Sequence, residues 1–192
     1  MERKIREIIN RNGGEFYDKY FKDYFDDWNI LCTSMDTIGD TTLAIDYFKE
    51  TGIGQDEGEK YLRLYGLLQA IYLQQDTIKF LFQTIKKCFD EKNELKDWRD
   101  YQLDSWDELR DYRNLSIGHP IENKTFERGK PKRVFISRIT ISSDAFQLMI
   151  CDVETGNHQF QDVQLKDLIQ SYLLEVKTIL QDVEIFLRNY VF

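Results

Sequence analysis

The sequence predicts a mainly α fold, an up-and-down bundle of four to five helices with a small three-stranded antiparallel β insertion before the last helix. Three observations predict it. Apolar residues recur three or four positions apart over long stretches, the period of helices that bury one stripe. Two prolines and ten glycines in 192 residues favour long regular elements over loops. Between about 133 and 163 the pattern changes to short β-branched and aromatic runs separated by turn residues.

The elements follow in order. A short leading helix lies around Ile5–Ile9, and Asn12-Gly13-Gly14 separates it from a long stripe over residues 16–49. That stripe includes Tyr17, Tyr20, Tyr24, Trp28, Leu31 and Met35 at helical spacing. Gly52, Gly54 and Gly58 mark a loop. A second stripe runs from Tyr61 through Leu68 and Ile78 to Phe89, a helix of about eight turns. Gln75 falls in the middle of it and is expected to face the interior. The polar Glu91–Asp97 stretch is the connection, and the next helix spans roughly Leu103 to Ile117. Val134 and Ile136, Phe146–Cys151 and His158–Val163 form the β meander, with "SSD" and "ETGN" as its turns. An amphipathic helix from Leu165 to Tyr190 closes the chain. Short connections between long helices favour antiparallel neighbours. One domain over 1–192, with a β insertion at about 133–163, is the simplest organisation.

Composition bounds the function. Apolar residues make up 42% of the chain and aromatic residues 14%, enough for a sizeable core. Cys32, Cys88 and Cys151 are odd in number and lack CxxC spacing, which argues against a disulfide framework or a thiolate zinc site. The first residues alternate in charge, without the apolar run of a signal peptide. The longest apolar run, near Tyr65–Leu73, is interrupted by Gln69 and too short for a membrane span. The expectation is a cytoplasmic protein with no membrane partner. A net charge of −8 repels nucleic acid unless a local basic patch offsets it.

The chemistry gathers at Tyr112–Pro120, "YRNLSIGHP". At about 100° per residue, Trp106, Leu109 and Ile117 share one apolar face, and Arg113 falls inside it at about 280° from Leu103. Arginine is rarely buried unless its guanidinium is paired or meets an anion. A structural salt bridge, or snorkelling beside Arg110, fits the position as well as an anion site does. Gly118 reads as a C′ glycine in the left-handed region, and Pro120 forbids continuation. The helix is then expected to end near Ile117, with His119 emerging just past it. From there His119 either turns towards Arg113 or caps the last carbonyls.

Arg113-Asn114-Leu115-Ser116-Ile117-Gly118-His119 resembles the R-x4–6-H signature of the HEPN superfamily, in which a polar residue commonly follows the arginine as Asn114 does. The helical bundle with the motif before the last helix matches that family's fold, and the β meander is an addition to its minimal form. The resemblance implies a metal-independent endoribonuclease, needing no cofactor, built as a homodimer that brings two motifs into one cleft. It implies a setting in bacterial defence or a toxin–antitoxin pair, with a cognate antitoxin or other partner protein. The implied catalytic residues are Arg113, Asn114 and His119. Histidine moves protons near neutrality, arginine meets phosphate oxygens with a planar fork, and asparagine orients by hydrogen bonds. No metal ligands are implied.

A basic loop, "KTFERGKPKR" at 124–133, sets five basic side chains against one acidic. Lys124, Arg128, Lys130, Lys132 and Arg133 are therefore candidate RNA-binding residues, although solvated charged loops are common. The alternative function is a non-catalytic HEPN-like bundle that binds a partner protein or nucleotide, which the acidic overall charge suits.

Overall fold

A computed structural model of the protein describes residues 2–11, 13–92, 94–118 and 132–191. The fold is mainly α. Among these residues there are six helices and a three-stranded antiparallel sheet that precedes the last helix. The helices are α1 (Glu2–Arg11), α2 (Gly13–Tyr20), α3 (Phe25–Thr51), α4 (Glu57–Phe89), α5 (Asp104–Arg113) and α6 (Leu165–Phe186). The strands are β1 (Lys132–Ile136), β2 (Phe146–Asp152) and β3 (His158–Val163), in that order across the sheet. No helix among the described residues is long and apolar enough to cross a membrane.

The chain forms two compact units. One comprises residues 1–43, 73–103 and 173–192, and the other 44–72 and 104–172. The first is a helical bundle. Ile5, Ile8 and Ile9 of α1 are buried at i, i+3 and i+4, and Leu31, Met35 and Ile38 form the matching stripe of α3.

The long stripe over 16–49 is not one helix. It breaks after Tyr20, at residues 21–24, so that α2, which begins at Gly13, and α3 are separate helices. The cause is an aromatic cluster. Phe21, fully buried, sits with Phe16, Trp28 and Phe89 at centroid distances of 5.6, 5.3 and 5.6 Å. Turning the chain there lets both helices feed rings into one core.

Gln75 is fully buried, as expected of a polar residue on the interior stripe. Beside it Gln74 donates to the hydroxyls of Thr41 and Thr42 at 3.3 and 3.0 Å. The polar stretch after α4 is the expected connection, and it is tightly held. The Asp90 carboxylate accepts the N–H groups of Glu94 and Leu95 at 2.6 and 3.2 Å, which seats Leu95 in the core.

Tyr101 ends this connection with its hydroxyl donating to Asp182 at 2.9 Å. Burial first, and the neighbouring Asp182 second, push its phenol pKa up. A phenol raised in the folded state stabilises the fold fully below the ordinary value near 10 and loses that contribution as pH climbs beyond it. Urea unfolding midpoints should therefore fall between about pH 9 and about pH 11. Tyr101→Phe should start lower, for loss of the hydrogen bond, but fall less steeply. An unchanged slope would mean that the phenol is not coupled to folding.

In the second unit α3 ends at Gly52, whose φ of 70° lies in the left-handed region that suits glycine after a helix. Arg63 Nη1 donates to the carbonyls of Thr51 and Gly52, completing that end. The sheet register sets Val134 opposite Ile150 and Ile136 opposite Leu148, all buried on one face. That face meets α5. The Tyr112 ring lies 6.3 Å from Phe146 of β2, and its hydroxyl accepts from Gln161 of β3 at 3.1 Å.

Candidate functional site

Arg113 is the last residue of α5, and the winding carries on as far as the glycine in a different form. From Asn114 to Gly118 the chain winds on as a π-helical turn. The Ser116 hydroxyl donates to the Tyr112 carbonyl, the acceptor that its own N–H would take in an α-helix. The ladder widens to i→i+5 bonds, and such turns are rare and common at functional sites. Gly118 is not among the positive-φ glycines, so the left-handed C′ role expected of it is not what it does. Its smallness serves another purpose. A Cβ at Gly118 would lie 2.7 Å from Arg113 Nη1, because positions five apart stack in a π turn.

The Arg113 guanidinium is half-buried and held on three sides. Its Nε and Nη2 donate to Gln69 Oε1 at 3.2 and 3.1 Å. Its Nη1 donates to Asn114 Oδ1 at 3.1 Å. The plane rests on Tyr72, with Cζ 4.0 Å from the ring centroid, and the Arg110 guanidinium lies 4.4 Å from the same centroid. Among the described residues these partners are all uncharged acceptors or a π face, so the positive charge of Arg113 is oriented but not neutralised. Two guanidinium groups therefore lie against one ring.

The scaffold beneath is firm. Tyr112 donates its hydroxyl to Glu108, and burial followed by that carboxylate pushes the phenol pKa up, keeping it a donor. β1 packs beside the π turn, which brings the strand carrying Lys132 and Arg133 next to the motif. These two basic residues belong to β1 rather than to a loop. Strand alternation sends them to opposite faces, so they do not form one patch.

His119, Lys124, Arg128 and Lys130 lie outside the described residues. Of the expected site residues, the structure brings Arg113 and Asn114 together. It adds Gln69 and Tyr72, which sequence reasoning missed. Gln69 stood out only as a polar interruption in an apolar run, and that interruption was the available signal.

Gly118→Ala tests the packing directly. The guanidinium is the flexible end of a long side chain, so it should move aside and leave the fold intact, with an unfolding free energy within about 1 kcal/mol of wild type. The Arg113 Nε–H signal in ¹⁵N NMR should shift as the Gln69 contact is lost. An unmoved signal would mean that Arg113 does not lie over Gly118.

The chain matches no family model, no curated protein and no solved structure.

Proposed function

We propose that the protein is a metal-independent endoribonuclease of the HEPN type, with Arg113, Asn114 and His119 as its catalytic residues. The observation that carries this reading is the Arg113 guanidinium, fixed by Gln69, Asn114 and Tyr72 and left with its charge uncompensated among the described residues. A scissile phosphate is the natural fourth partner. Arg113 stabilises the charge that grows on the phosphorane, while His119, supplied by the sequence motif, handles the protons. Lys124, Arg128, Lys130, Lys132 and Arg133 attract the RNA backbone. The cellular setting that goes with this reading is cytoplasmic defence or a toxin–antitoxin pair, with an antitoxin as partner.

A homodimer belongs to the same reading. The first half of α4 exposes Leu62 and Tyr65, at 74% and 38%, with open space around Gly66. Gln69 continues that stripe one turn on, so a second copy seated along it lies beside Arg113.

The second reading, a non-catalytic bundle, is favoured by one fact. Three of the five N–H donors of Arg113 are already satisfied internally, as in a structural contact. Incubation of the protein with RNA in EDTA separates the two. Cleavage leaving 2′,3′-cyclic phosphate ends supports the ribonuclease, and intact RNA at every protein concentration defeats it.

A further inference from the structure

The sheet register lines up three side chains, of which the site above uses only Arg133. Arg133 of β1 is directly opposite Cys151 of β2, and Cys151 is directly opposite His158 of β3. Directly opposed residues of antiparallel strands project to the same face, so the three form one row across the sheet. The face is the outer one, away from α5, since Ile150 and Val134 point inward. In that row the Cys151 sulfur lies 2.8 Å from His158 Nδ1, with Cys151 half-buried and His158 exposed. Two positions along, Phe135, Met149 and Phe160 form the next row, and the two rings are 43% and 58% exposed.

The other cysteines sit differently. Burial first, and the neighbouring Asp36 second, push the Cys32 thiol pKa up, and burial with Asp27 does the same to Cys88. Neither has an imidazole among the hydrogen-bond partners described. A thiol with a base at hydrogen-bond distance, open to solvent and beside a cation, is the arrangement that makes a cysteine reactive. Metal binding suits the pair less well, because a zinc site takes at least three protein ligands and no group of three potential ligands occurs among the described residues.

We propose that Cys151 is an oxidation site for organic hydroperoxides, with His158 as the base that takes the thiol proton. The sulfur attacks the terminal oxygen of the hydroperoxide. An S–O bond forms, the O–O bond breaks, and the alkoxide leaves with the proton from His158 as an alcohol. Cys151 is oxidised to the sulfenic acid and the peroxide is reduced. The apolar row of Phe135, Met149 and Phe160 offers the organic tail a surface one step from the sulfur. Cys151 is the only cysteine in its compact unit, so a low-molecular-weight thiol from solution condenses with the sulfenic acid to a mixed disulfide and water, and a second such thiol releases Cys151 as the free thiol with the disulfide of the two small thiols.

The test treats the full chain with cumene hydroperoxide, traps sulfenic acid with dimedone and maps the adduct by peptide mass spectrometry. Cys151 should be labelled about tenfold faster than Cys32 or Cys88. His158→Gln should slow Cys151 labelling by about tenfold while leaving the thermal midpoint in place. Equal labelling of all three cysteines would overturn the proposal. Full-rate labelling of Cys151 in His158→Gln would also overturn it, reducing the pair to a cross-strand contact. The comparison among cysteines needs no variant, so a destabilised His158→Gln still leaves a decisive result.

Discussion

His119→Ala is expected to lower RNA cleavage about 10²–10⁴-fold, the usual worth of one positioned proton-transfer group. Arg113→Lys should lose nearly as much as Arg113→Ala. The reason is geometric. Arg113 meets Gln69 through two nitrogens and Asn114 through a third, and its flat face lies 4.0 Å from the Tyr72 centroid. A lysine ammonium reproduces the charge but neither the fork nor the stacking plane. It would swing free of Gln69 and meet a phosphate with no fixed direction. The losses of His119→Ala and Arg113→Ala should be far from additive, since groups acting on one transition state share its stabilisation. Single-turnover cleavage of a labelled RNA in EDTA measures the three single variants and the His119→Ala, Arg113→Ala double variant. Full activity in the variants, together with lowered thermal midpoints, would make the cluster a structural tie and end the ribonuclease reading.

Phe16→Ala should be among the most damaging single substitutions to stability, at about 3–5 kcal/mol. Phe16 is 2% exposed and lies among the rings of Tyr20, Phe21, Trp28 and Phe89. Its centroid lies 5.2 Å from Phe89 in a stacked arrangement and 5.4 Å from Tyr20. Truncation removes the transfer energy of the ring and leaves a cavity that its rigid aromatic neighbours cannot close. For a chain of this size each kcal/mol moves the melting midpoint by about 2–4 °C, so a fall of about 10 °C is expected. Phe16→Leu should cost clearly less, because it refills part of the volume. A loss below about 1 kcal/mol for Phe16→Ala would show that the cluster is not closely packed.

Much of the architecture was legible in the sequence, for identifiable reasons. The β meander announced itself because β-branched runs alternate with turn residues, and the strands fall within a residue or so of the expected runs. The buried stripes of α4 and α6 were legible because each repeats over many turns. The break between α2 and α3 was not. Both helices supply rings to the same cluster, so the apolar spacing continues across a point where the backbone does not. The π turn was hidden for a related reason: over a single turn, a period of 3.6 and a slightly longer one place Leu115 and Ser116 almost alike. Arg113 could be assigned to an apolar face from its phase alone. Gln69 could not be assigned as its partner, because it lies 44 residues away in sequence and its one local mark, a polar interruption in an apolar run, does not say what it meets.

The winding at Asn114–Gly118 also has a thermodynamic reading. If this turn relaxed to α geometry, residue 118 would rotate to about 140° from Arg113 instead of stacking over it. The guanidinium would lose its seat above Gly118, and the chain would leave the helix about 100° away from its present bearing. Two windings of one short segment thus correspond to two presentations of one cation. Any anion that prefers the seated guanidinium draws the segment towards the π form by RT ln(1 + [L]/Kd), the ordinary linkage between a ligand and the state that binds it. The affinity of such an anion would therefore scale with the fraction of chains that hold the wider turn, and a substitution that lowers this fraction would weaken binding in proportion.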